Sequence, residues 1–185
     1  PRLKKIEAVE LHTLVTQRGI SADHSAHSFG FAHSDTDDSA IFDNPNINAV
    51  LITTPHSTHA SLTARALAAG KNVMVEKPLA LGREELNTII RARLQSDAFM
   101  QVGFNRRFAP LAVQARDRLA AAGGKQSNIG RTTEQDKGHA AELRAFVEAV
   151  ASGGLAPASE AELVQSSFAT IAVLESLQRG AQVDL

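Results

Sequence analysis

Short apolar runs alternate with helical patterns over the first two-thirds of the chain. Residues 9–15 alternate in the manner of a strand, and residues 21–29 follow as a short amphipathic helix. Ala49, Val50, Leu51 and Ile52 lead into Thr53 as a continuous apolar run, the pattern of a strand buried on both faces. Residues 57–69 read as a helix with Leu62, Ala66 and Leu67 on one face and Gly70 as its stop. A second buried strand is predicted at 72–76, a helix at 83–94 and a strand at 99–102. Repetition of strand and helix at this spacing implies right-handed crossovers and a parallel sheet with helices on both faces, so the class is α/β.

Beyond Val102 the pattern changes. Residues 110–122 are helical, with Pro110 suited to a first turn. Residues 121–130 are small and polar, and Gly123, Gly124 and Gly130 mark a loop. Helices follow at 139–151 and 159–178. The second opens on Ser159 and Glu162, the spacing of a reciprocal capping box. Leu163, Phe168, Ile171, Leu174 and Leu177 form one apolar stripe, Gly180 ends the helix, and Val183 with Leu185 predicts a short edge strand. These helical stripes need a partner surface, and no later strand supplies one.

Composition narrows the classes. In 185 residues, 43% are hydrophobic, enough for a core, and the formal net charge of −1 provides no field for nucleic acid or an anionic membrane. Cysteine is absent, which excludes disulfides, thiolate metal sites and a cysteine nucleophile. Tyrosine and tryptophan are absent too, removing the stacking platforms on which single strands bind. No apolar run is long enough to span a bilayer. The expectation is a cytoplasmic protein with neither nucleic-acid nor membrane partners.

In open parallel sheets, ligands bind beyond the carboxyl ends of the strands. The informative residues are therefore those just after each buried strand. They are Thr53, Thr54, Pro55, His56 and His59; then Glu76, Lys77 and Pro78; then Gly103, Asn105, Arg106 and Arg107. All three polar clusters should meet on one rim.

The stretch AVLITTPHSTHASLTARALAAGKNVMVEKPLAL resembles the signature region of the glucose–fructose oxidoreductase/inositol dehydrogenase/rhizopine-catabolism family, and QVGFNRRFAP and DKGHAAELRAFVEAV resemble its later segments. The resemblance implies a Rossmann domain paired with a larger mixed-sheet domain. It also implies oxidation or reduction of sugars, cyclitols and related alcohols with NAD or NADP, commonly by a homo-oligomer. Carried over by position, Lys77 becomes the catalytic lysine, since taking a hydride from an alcohol carbon requires a base for the hydroxyl proton. Glu76 lines the cofactor or orients Lys77, and Pro78 fixes the turn through a cis bond. Thr53, Thr54 and Pro55 run beside the dinucleotide, with His59 near its ribose or nicotinamide. Arg106 or Arg107 meets a phosphate or substrate oxygen.

Three departures accompany the resemblance. The chain begins just after the point where a Rossmann glycine turn should lie, and too few residues separate Phe108 from Asp136 for a substrate domain. This implies an incomplete dinucleotide-binding domain at 1–107 and part of a substrate or oligomerisation domain at 108–185. His56 stands where asparagine is common. At the ribose-reading position the sequence has Thr16, Gln17 and Arg18 with no carboxylate, which tilts the cofactor towards NADP through Arg18. A non-catalytic α/β remnant is the alternative reading.

Plainer readings stand beside these. His56/His59 and His24/His27 have helical spacing, but no thiolate or paired carboxylate completes a metal set, so no metal is expected. The acidic residues at 35–38 read as a turn before a helix. His33 and His139 read as surface residues.

Overall fold

The computed structural model describes residues 2–17, 19–121 and 136–183. Five strands and seven helices are found among them: β1 Thr13–Val15, α1 Gly19–Phe29, β2 His33–Asp35, α2 Ser39–Phe42, β3 Ala49–Ile52, α3 His56–Ala68, β4 Asn72–Val75, α4 Arg83–Leu94, β5 Met100–Val102, α5 Pro110–Ala121, α6 His139–Ser152 and α7 Glu160–Arg179. One 3-10 turn, Leu3–Lys5, opens the chain, and another, Asn105–Phe108, follows β5. No helix among the described residues is long and apolar enough to cross a membrane.

Every strand pairing is parallel. β1 pairs with β2, and β3, β4 and β5 lie side by side in chain order. The pairing of β1 with β2 continues backwards beyond the strands, Ala32 donating to the Leu11 carbonyl and His33 to that of His12. The strand expected at 9–15 is thus regular only over its last three residues. β2 was not foreseen, whereas α2 begins at Ser39, directly after the acidic residues at 35–38 that read as a turn before a helix. His33–Asp35 carries no apolar residue and leaves His33 exposed, so hydropathy could not mark it as a strand.

Alternation along β3–β5 sorts the core onto two faces. Val50, Ile52, Val73, Val75, Met100 and Val102 join Ala66, Leu67, Leu86 and Ile89 of α3 and α4 in the larger cluster. Leu163 and Ile171 of α7 complete that same cluster. On the opposite face Met74 and Phe99 pack against Phe146, Val147 and Ala149 of α6, with Leu3, Ile6 and Val9 closing the edge. The partner surface that the C-terminal stripes require is therefore the sheet itself.

Four expectations are corrected here. β3 is not buried on both faces: Leu51, which points away from the larger cluster, is 41% exposed, because α6 covers β4 and β5 but not this position. The α7 stripe is incomplete, since Leu174 and Leu177 are exposed. A helix of 20 residues outruns the 12-residue α4 on which it packs. The capping box does not form. Ser159 occupies the N-cap without a side-chain bond, because Glu162 turns instead to Arg107. Val183 lies outside any strand, and Leu185 and the loop at 122–130 lie outside the described residues.

Charged pairs fix α7 in place. Glu175 accepts from Arg83 at 3.1 Å, and Arg83 also lies over the Phe168 ring. Glu160 accepts from Arg93 at 2.8 Å and from the backbone N–H of Met100 at 3.0 Å, so one carboxylate joins α7 to both α4 and β5.

Candidate active site

The parallel order of β3, β4 and β5 puts their carboxyl ends side by side. The three polar clusters foreseen from the sequence leave the sheet there. The Glu76 N–H donates to the Ile52 carbonyl at 3.0 Å and the Gly103 N–H to the Val75 carbonyl at 2.8 Å, which extends the ladder to the rim itself.

Thr53, Thr54, Pro55 and His56 are exposed at the end of β3. Thr58 Oγ1 donates within this loop, 2.7 Å from Thr54 Oγ1 and 2.8 Å from the Pro55 carbonyl. No side chain caps the N-terminus of α3, so its first turn faces outward with backbone donors.

His59, one turn into α3, has no exposed surface. Its Nδ1 lies 2.8 Å from the Pro78 carbonyl and its Nε2 2.8 Å from that of Thr54. The ring thus stitches the loop after β3 to the turn after β4. A neutral imidazole donates to one of these carbonyls and turns a lone pair to the other; only the doubly protonated ring donates to both. His56 lies edge-on to it at 5.5 Å and remains exposed.

The Lys77–Pro78 bond is cis, as the resemblance implied. Glu76 and Lys77 are both exposed on the rim. Glu76 lies across Gly103, where a Cβ would come within 2.9 Å of its Oε2. A larger residue at 103 would displace that carboxylate, so the third cluster shapes the second.

The two arginines diverge. Arg107 pairs with Glu162 of α7, while Arg106 is exposed. His139 is half-buried rather than on the surface: it meets Asn105, joining α6 to the turn after β5. Gly138, just before α6, has φ +82°, and a Cβ there would fall 2.2 Å from the Asn105 carbonyl oxygen. Only glycine permits so close an approach. Arg18, the expected reader of the ribose, lies outside the described residues. Among the described residues no group of three His, Asp or Glu side chains is placed to hold a metal.

A buried polar pair escaped the sequence reading. Gln101 of β5, on the sheet face shared with Met74, and Glu142 of α6 are both buried. The signal was present: Gln101 interrupts an apolar strand, and Glu142 precedes Phe146 by one helical turn on the apolar face of α6.

Comparison with known proteins decides the relationship. The sequence profile of the oxidoreductase family with an NAD-binding Rossmann fold, named for glucose–fructose oxidoreductase, inositol dehydrogenase and the rhizopine-catabolism protein, matches residues 2–104. The chain belongs to this family. It is 36% identical over 100 residues to the scyllo-inositol 2-dehydrogenase (NAD(+)) of Bacillus subtilis, a match covering 54% of this chain and 29% of that protein. Levoglucosan dehydrogenase in complex with NADH and levoglucosan superposes with a TM-score of 0.59 at 31% identity, covering 61% of this chain and 30% of that one. A 3-ketoreductase from Actinomadura kijaniata in complex with NADP gives 0.59 at 25% identity, covering 65% and 37%. The chain therefore spans about three-tenths of the length of the first two of these relatives. The match takes in all five strands and the rim they support.

Proposed function

We propose that this chain is the nucleotide-binding part of an NAD(P)-dependent oxidoreductase that passes a hydride between nicotinamide and a carbon of a sugar, cyclitol or related alcohol. The observation that carries the reading is the convergence of Thr54 and Pro78 on His59, with the exposed Lys77 ammonium beside them on a parallel-sheet rim. In this reading residues 1–107 form the dinucleotide-binding unit, and 108–185 belong to the substrate or oligomerisation part.

The rim fits a dinucleotide. It offers exposed hydroxyls at Thr53 and Thr54, the outward-facing first turn of α3 and the Glu76 carboxylate, all beyond strand ends where such ligands lie. Bound there, the nicotinamide supplies the hydride acceptor or donor. Thr53, Thr54, Pro55 and Glu76 line it, and Pro78 fixes the turn that presents Lys77. Lys77 takes the proton from the reacting hydroxyl, or returns it in reduction. His59, with both nitrogens engaged by carbonyls, acts as a positioning residue that keeps the two loops in register. Arg106 is the arginine free to meet a phosphate or substrate oxygen, since Arg107 is engaged by Glu162. Arg18 favours NADP over NAD. The reading extends to a cytoplasmic homo-oligomer.

The test uses the full-length protein. Titration with NADH and NADPH should quench or shift cofactor fluorescence, with NADPH the tighter ligand. Turnover should be found in a panel of sugars and cyclitols. If neither cofactor binds, the reading is wrong.

A further inference from the structure

Behind the rim, where α6 covers the sheet, Gln101 has no exposed surface and Glu142 only 2%. The Gln101 amide nitrogen donates to the Val102 carbonyl at 3.0 Å. Its Oε1 has no hydrogen-bond partner among the described residues, and neither has Oε1 of Glu142. An ionised carboxylate only accepts, as does an amide oxygen, so two buried acceptors are left without a donor. Leaving both unmade in a buried site is expensive. Protonating the carboxyl removes its charge and turns it into a donor.

We propose that Glu142 keeps its proton in the folded chain, and that this neutral carboxyl keys α6 to the sheet and makes its seating pH-sensitive. With the proton bound, the buried pair carries no charge. When it leaves to solvent, a carboxylate remains buried beside an amide oxygen, and the contact between α6 and β5 weakens.

Among the described residues no basic side chain forms an ion pair with Glu142. From the end of β4 comes Glu76, a second negative charge. From the 3-10 turn come Asn105, bonded to His139, the exposed Arg106, and Arg107, which is paired with Glu162. The N-terminal residues contribute Leu3, Ile6 and Val9, while Lys4, Lys5, Glu7 and Glu10 are exposed. On α6 itself Arg144 and Glu148 are exposed. Burial pushes the Glu142 carboxyl up to about 7; the Gln101 side chain pulls it down, and the Glu76 charge raises it further.

The sign follows. The folded state holds the proton over a range in which the unfolded chain has lost it, so stability is full below about pH 4.5 and is lost as pH rises through about 7. Within that window the folding equilibrium constant should fall by up to about tenfold per pH unit. None of this depends on the catalytic reading.

Urea unfolding of the 185-residue chain across this window, compared with Glu142→Gln, tests it. The amide keeps the size of the carboxyl and cannot ionise. The variant should match the parent on the acid side and lose the decline on the neutral side. An unchanged decline in Glu142→Gln would assign the titration to another group and overturn the proposal. Should the variant not fold, a carbon-13 titration of the Glu142 carboxyl in the parent chain decides. A midpoint near 7 supports the retained proton, and one in the ordinary carboxylate range refutes it.

Discussion

Nδ1 of His59 lies 2.8 Å from the carbonyl oxygen of Pro78, so a side chain on α3 holds the turn that leaves β4. Its other nitrogen holds the Thr54 carbonyl at the same distance. The relative placement of two loops from different strands therefore rests on one ring.

His59→Ala should accordingly damage the fold before the chemistry. It opens a cavity in a site with no exposed surface and removes the ring that bridges the Thr54 and Pro78 carbonyls. We expect a loss of about 3 kcal/mol in denaturant unfolding. A variant as stable as the parent would show that the loops hold their register without the ring.

Lys77→Ala should do the reverse. Lys77 is exposed, so the melting temperature should barely move. Turnover by the full-length protein should fall on the order of a hundredfold or more, the usual contribution of general acid–base catalysis, while cofactor still binds. Stopped-flow turnover alongside cofactor titration separates the two quantities. Unchanged turnover would remove Lys77 from the acid–base role.

Gly138→Ala tests how α6 meets the turn after β5. An added Cβ would stand 2.5 Å from the Ala109 backbone nitrogen and 2.6 Å from the Phe108 carbonyl carbon, on a residue with φ +82°. Backbone atoms cannot step aside as a flexible side chain does. We expect at least about 2 kcal/mol of destabilisation from the strained φ and the clash together. Calorimetry of the variant would read it directly.

Glu160 and Glu175 both pair with arginines of α4, yet they should not be equivalent. Glu160 also accepts from the N–H of Met100, which is buried. Removing it strands that donor. Glu160→Ala should cost about 2 kcal/mol and Glu175→Ala under about 1 kcal/mol, as unfolding midpoints would reveal. Equal losses would mean that the Met100 contact contributes nothing.

The rim was largely readable from the chain. Buried strands announce themselves by runs of apolar residues, and in a parallel sheet all of them end on the same side. The residues after Ile52, Val75 and Val102 were thereby assigned to one edge, and the structure gathers them there. What each side chain does at that edge was less legible. His59 carries the same letters whether it faces a ligand or two carbonyls. Arg106 and Arg107 are adjacent and identical in type, yet a glutamate 55 residues further on engages only one of them.

Local periodicity and turn chemistry, which act over a few residues, are thus determined by the sequence alone. They gave the α/β class, the α4 boundaries, the stops at Gly70 and Gly180 and the strand-end clusters. Long-range pairing is different, because it depends on which surfaces come to face each other after loops have closed. Only the tertiary structure decided that α6 and α7 pack on opposite faces of one sheet, that Leu51 stays open, that Glu162 abandons its cap for Arg107, and that Gln101 and Glu142 are both buried. Each of these balances desolvation against a partner far along the chain, and no window of neighbouring residues contains both sides of that balance.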